Sequence, residues 1–175
     1  MREPLMRRCG KTPKVQGMKA TAIPSTMFGP PARASCTAEP ACLPALLALL
    51  DSYCAHQQVD ARSRHDLHLI VEEACVNVIA HAYPADTPGP LSLQVEAKVF
   101  GGRPAMEITI EDRGAPFNPL SLPAPDQTAP LEDLPVGGLG VHLIRQLSDM
   151  QHYSHTRQRG NVLTITKFLV PAQQD

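Results

Sequence analysis

The chain has 175 residues, 43% of them hydrophobic and 19% charged, which supplies core material for one well-packed domain. Sixteen basic residues stand against 17 acidic ones, a formal net charge of -1, so no global field draws the chain to nucleic acid or to an anionic membrane, and its partners must be recognised through local sites. Five cysteines without a Cys-x-x-Cys pair (Cys9, Cys36, Cys42, Cys54 and Cys75) fit neither a disulfide framework nor a zinc ribbon; with no membrane-length apolar run and no signal-like start, a soluble cytoplasmic protein with reduced thiols is expected.

Residues 1–31 are basic, rich in Pro and Gly and without a sustained period, which predicts a poorly ordered N-terminal extension followed by one domain over residues 32–175. A short strand is expected near Arg33 to Thr37. Pro40 suits a first helical turn, and Leu43, Leu46, Leu47, Leu50 and Tyr53/Cys54 recur at helical spacing. The run Leu46 to Leu50 is apolar nearly all round and reads as core, with part of it available for a dimer face. Ser63 followed by Asp66 reads as the start of a second helix, a variant of the capping box; Leu67, Val71, Ala74/Cys75, Val78 and Ala82 mark its apolar stripe, and Pro84 stops it.

Leu91, Leu93, Val95, Ala97 and Val99 then alternate strictly, the Gly101-Gly102-Arg103-Pro104 segment turns, and Met106, Ile108 and Ile110 alternate again, which predicts a hairpin. The proline-rich stretch Ala115 to Pro135 is too long for an idle connection and is expected to be a lid. Gly137-Gly138-Leu139-Gly140 opens a helix to about Met150. Strands near Gln151 to Arg157 and Val162 to Val170 flank a turn at Arg159-Gly160-Asn161. Helices that can all pack on one face of such strands suggest an α+β fold, a two-layer α/β sandwich.

Three segments carry chemistry. Glu73, Asn77 and His81 are four apart, so they form one polar stripe on the second helix beside the stripe that faces the sheet. Asn offers a neutral oxygen to Mg²⁺, and Glu one turn away can accept a proton; a solvated helix edge would show the same spacing. Counting by twos from Met106 turns Asp112 toward the core, where a carboxylate must be paired or used, and Gly114 lets backbone approach a ligand. An adenine amino group is a fitting partner, although Asp-x-Gly is also a common self-bonded turn. Gly138, Leu139 and Gly140 open a helix whose unscreened N–H groups suit phosphate oxygens, as would a plain flexible loop. Neither a Walker loop nor Gly-x-Gly-x-x-Gly after the first strand is present. His65 and His68, three apart, have no third ligand at sensible spacing and read as surface residues.

In this order, Glu-x-x-x-Asn on a helix, Asp-x-Gly at a strand end and Gly-x-Gly opening a helix resemble the motifs of the GHKL superfamily: gyrase, the heat-shock chaperone, histidine kinases and MutL. More narrowly, Glu72 to Tyr83, Asp112 to Pro119 and Gly137 to Ile144 resemble the anti-sigma serine kinases, over roughly Arg33 to Leu169. The resemblance implies a Bergerat-type ATP-binding fold, with helices on one face of a mixed, largely antiparallel sheet. It implies Glu73 as general base, Asn77 as Mg²⁺ ligand, Asp112 and Gly114 as adenine contacts, and Gly138, Leu139 and Gly140 at the phosphates of ATP.

The implied partners are a small STAS-type anti-sigma antagonist, phosphorylated on serine, and a sigma factor, bound by a homodimer. The alternatives are a nucleotide-gated binding module without catalysis and a histidine-kinase-like ATPase domain. The chain departs from the family in its extension before Pro31. It also has no lysine between Arg103 and Lys167 to touch the γ-phosphate, which leaves Arg113 or Arg145 for that task.

Overall fold

The computed structural model describes residues 28–122 and 138–170. The expected extension up to residue 27, and residues 123–135 of the expected lid, lie outside the described residues. In chain order the elements are β1 (Ala32–Thr37), a 3-10 turn (Pro40–Cys42), α1 (Leu43–His56), α2 (Ala61–His81), β2 (Pro90–Phe100), β3 (Arg103–Asp112), a second 3-10 turn (Pro119–Ser121), α3 (Gly138–Leu147), β4 (Met150–Thr156) and β5 (Gly160–Phe168).

The five strands form one sheet in the order β1-β2-β3-β5-β4, and every pairing is antiparallel. The sheet is thus antiparallel rather than mixed. The crossover through α3 takes the chain from β3 to β4, which run the same way with β5 inserted between them. Strands β2 and β3 turn tightly at Gly101-Gly102, as the sequence predicts.

The three helices lie on one face. Leu91, Leu93 and Val95 of β2, Met106, Ile108 and Ile110 of β3 and Ile165 of β5 are buried against Leu46 and Leu50 of α1, Leu67, Ile70, Val71, Ala74 and Cys75 of α2, and Ile144 of α3. The apolar run in α1 is therefore core at Leu46 and Leu50, while Leu47 and Leu49 are half-buried beside it. Phe28 packs on this core and the Tyr53 hydroxyl donates to the Gly29 carbonyl (3.4 Å), so residues just before the expected boundary at 31 already touch the domain. The opposite face of the sheet is polar and carries ion pairs from Arg33 to Glu111 (3.1 Å) and from Lys98 to Glu96 (3.2 Å) and Glu107 (2.5 Å).

Helix α2 begins at Ala61, not at Ser63. Asp60 is its N-cap, and its Oδ1 accepts the Ser63 N–H at 2.9 Å, while Ser63 itself is buried within the first turn. Both residues are good caps, and three-residue spacing suits either; burial decides between them. Burial alone would raise the Asp60 carboxyl, but hydrogen bonds from Ser63 and from the Arg62 backbone outweigh it and hold the group below its ordinary value. A depressed carboxylate contributes stability above its unfolded value and loses it as pH falls through the folded one. Asp60→Ala is therefore expected to cost about 1 kcal/mol at neutral pH. Urea titration should show that difference shrinking as pH falls below the ordinary carboxylate range; a pH-independent difference would assign the loss to packing.

Candidate functional site

A cavity of ≈ 60 Å³ opens between the C-terminal half of α2, the ends of β3 and β5, and α3. One water needs only about 10–15 Å³ of such space, so this is more than the seat of a single structural water. Its walls are apolar, with Ala74 and Val78 from α2, Ile110 from β3, Ile144 from α3 and Leu163 from β5. Phe117 is exposed at its rim.

The polar groups concentrate at one end. Alternation along β3 turns Asp112 to the helix face after Ile110, and it is 7% exposed. Its Oδ1 accepts from the Gly114 N–H (2.8 Å) and from Asn161 Nδ2 (2.8 Å). Among the described residues Oδ2 accepts nothing. One oxygen makes the self-bonded turn, and the other is left as an acceptor on a carboxylate that lines the cavity.

Asn161 is paired with Asp112 across the β3–β5 register and is 5% exposed. Its Nδ2 also donates to the carbonyls of Gly114 (3.4 Å) and Ala115 (3.1 Å), and its Oδ1 accepts from the Tyr153 hydroxyl (2.7 Å) and the Phe117 N–H (3.4 Å). One amide thereby fixes Asp112, the turn after it and the rim of the cavity. The sequence reading assigns Asn161 only to a turn and does not mark Tyr153 at all. Asn161→Ala is expected to destabilise the fold by about 1–3 kcal/mol, the cost of orphaning buried partners. Denaturant midpoints check this, and a change under 0.5 kcal/mol would mean that water replaces the amide.

A Cβ on Gly114 would overlap the carbonyl oxygen of Ala82 at the end of α2, so the glycine lets this turn pack directly on the helix backbone. Tyr83 clamps the same junction: its hydroxyl donates to the Pro90 carbonyl (2.7 Å) and accepts the Arg113 N–H (2.5 Å). Burial raises the Tyr83 phenol above its ordinary value, keeping it protonated as a donor.

Asn77 and His81 line the cavity, whereas Glu73 lies one turn further back along α2. A Cβ on Gly140 would overlap the Glu73 carboxylate, so the first turn of α3 sits directly against it. Gly138 opens that turn, followed by Leu139. The four predicted elements of the site, Asp112 with Gly114, Asn77, Glu73 and the glycine-rich turn, are therefore brought to one side of the molecule along α2. The oxygen donors on α2, an amide and a carboxylate one turn apart, are of the hard kind that Mg²⁺ takes together with phosphate and water. Among the described residues no three His, Cys, Asp or Glu side chains converge.

Neither arginine offered for the γ-phosphate lines this cavity. Arg145 donates to the Leu120 carbonyl (2.5 Å) and ties down the 3-10 turn, while Arg113 lines a separate concavity on the other face of the sheet. Lys167 is held by Asp66 (2.8 Å) and the Leu147 carbonyl (2.7 Å). His65 is exposed, and His68 faces Asp51 at 3.5 Å rather than a third ligand. The described cysteines, Cys36, Cys42, Cys54 and Cys75, are free; burial pushes Cys54 up to about 11 and Cys75 up to about 12, so both stay thiols. No described helix is long and apolar enough to cross a membrane.

Residues 36–167 match the family model described as histidine kinase-like ATPase domain. The chain is 38% identical over 108 residues to the serine-protein kinase RsbW of Halalkalibacterium halodurans, an alignment covering 59% of this chain and 62% of that protein. It is 33% identical over 109 residues to the serine-protein kinase RsbW of Bacillus mycoides, covering 59% and 63%. It thus spans less than two thirds of the length of these curated relatives. The fold is similar to the crystal structure of the RsbU and RsbW domains of a Mycobacterium tuberculosis protein, with a TM-score of 0.58 and 18% identity over 84% of this chain and 35% of the other. With the family model covering the helix stripe, the Asp112 turn and the glycine-rich turn alike, the chain belongs to the histidine kinase-like ATPase domain family, of the GHKL type.

Proposed function

We propose that this chain is an ATP-dependent protein serine kinase of the anti-sigma regulatory type. The observation that carries the reading is the order of groups along α2. The Asp112 turn packs at its end, Asn77 lines the cavity one turn in, and Glu73 lies one turn further, against Gly140. Adenine in the apolar slot gives its amino group to Asp112 Oδ2 beside Gly114, and the phosphates then run toward Asn77 and the Gly138-Leu139-Gly140 turn. Backbone N–H groups and the dipole at the start of α3 favour them there.

Bound Mg²⁺ supplies charge neutralisation at the phosphates, and Asn77 Oδ1 would be its protein ligand. Glu73 takes the proton of an incoming serine hydroxyl as that oxygen bonds to the γ-phosphorus; the bond from phosphorus to the β–γ bridging oxygen breaks, and ADP leaves with the electron pair. The serine belongs to a small anti-sigma antagonist of the STAS type, the unphosphorylated kinase partner being a sigma factor, with the kinase a homodimer in the cytosol. The names of the RsbW relatives support the serine and the kinase.

A second reading, a nucleotide-gated binding module, is favoured by one observation: among the described residues no Lys or Arg lines the cavity. Incubation with Mg²⁺ and γ-labelled ATP in cell extract separates the two. Phosphoserine on one small protein supports the kinase; nucleotide binding with no transfer to any protein leaves the module; no nucleotide binding overturns both.

A further inference from the structure

On the open face of the sheet, away from the nucleotide cavity, two arginines converge on one carboxylate and a third lies beside them. Arg33 of β1 gives Nη2 to Glu111 Oε2 (3.1 Å) and to Ser92 Oγ (3.2 Å), and Arg159 of the β4–β5 turn binds the other oxygen of Glu111. Glu111 is held below its ordinary value: burial alone would raise it, and the two guanidiniums outweigh that. Arg113, exposed at the end of β3, makes no ion pair among the described residues. All three line one concavity of ≈ 180 Å³ with Ser35 and Ser92 and the two carboxylates Glu111 and Asp112.

The Glu111 side chain is only 17% exposed and both its oxygens are spent, yet the Arg33 and Arg159 side chains remain 51% and 58% exposed. Each guanidinium has five N–H donors, so most of them stay free for an outside acceptor. In a chain of net charge -1 this is a local surplus of positive charge, held rigid by an internal carboxylate that already displays the chemistry the cluster accepts. The rest of the surface narrows the class of ligand. No aromatic side chain lines the concavity, so it is no stacking platform for single-stranded nucleic acid, and none of the exposed large apolar residues, Val76, Phe117, Met150 and Val170, lies in it to enter a lipid surface.

We propose that this surface docks an acidic segment of a protein partner, which lies across the open face of the sheet and places carboxylates on Arg33, Arg113 and Arg159. The proposal is independent of the chemistry at Glu73. The test uses the full chain, a fluorescent eight-residue peptide alternating Glu and Thr, its Lys-Thr counterpart, and anisotropy at low and high salt. Saturable binding of the Glu-Thr peptide alone is expected, weakened by salt. Arg33→Ala/Arg159→Ala should weaken it about tenfold or more. Arg113→Ala breaks no bond of the described structure and should weaken it about threefold, while Glu111→Gln, which removes the competing carboxylate, should tighten it. No saturable binding, binding undiminished in Arg113→Ala, or equal affinity for a DNA duplex or an anionic vesicle would each overturn the proposal.

Discussion

Glu73→Gln is expected to bind Mg²⁺-ATP nearly as well as the wild type and to transfer phosphate to a serine partner about 10²- to 10⁴-fold more slowly, the usual contribution of a general base. The expectation rests on where the carboxylate lies. It is absent from the apolar slot and sits against Gly140, so the amide of Gln fills the same space while losing the capacity to accept a proton. Asn77→Ala should behave differently, losing Mg²⁺-dependent binding and transfer together. Single-turnover transfer measured beside nucleotide affinity distinguishes them. Wild-type transfer by Glu73→Gln would remove the base from this residue, and a wild type that transfers to no partner would favour the binding module.

Asp112→Asn should weaken adenine nucleotides by about 1–3 kcal/mol, or roughly 5- to 150-fold in Kd. Asp112 Oδ1 already takes two donors, Gly114 N–H and Asn161 Nδ2. An amide there must turn its NH₂ either toward those donors or toward the adenine amino group, and either choice sets donor against donor. Guanine, which presents an acceptor where adenine presents that amino group, should lose much less. Calorimetry with ATP and GTP on both proteins tests this; an unchanged ratio of affinities would take Asp112 out of base recognition.

The alternation of β2 and β3 and the glycine turn between them were legible because each strand buries one face, so period two is imposed by the core. The same counting turns Asp112 inward, and helical spacing aligns Glu73, Asn77 and His81. Asn161 was not legible, since its partners Asp112, Gly114 and Ala115 lie 46 to 49 positions away and become neighbours only through the β3–β5 register. Ile110 opposite Leu163 fixes that register, and two steps along it Asn161 meets Asp112. The start of α2 was misplaced for a local reason, two good caps three residues apart. Arg113 beside the adenine turn invited a phosphate role, but adjacent strand residues point to opposite faces, and following Asp112 inward sends Arg113 outward.

The pairing of Thr37 with Pro90 has a consequence for the order in which the molecule assembles. Both α1 and α2 lie between these neighbours, so β1 and β2 close the longest loop in the sheet, whereas β2 meets β3 across two residues. Loop-closure entropy makes the short hairpin the early event and the seating of β1 a late one, dependent on the helices being in place. The apolar cavity draws on α2, β3, β5, α3 and β4 and takes nothing from β1. Detachment of β1 therefore leaves the floor and polar end of that cavity standing, and a segment that competes for the edge of β2 acts on a strand whose loss the nucleotide does not feel directly.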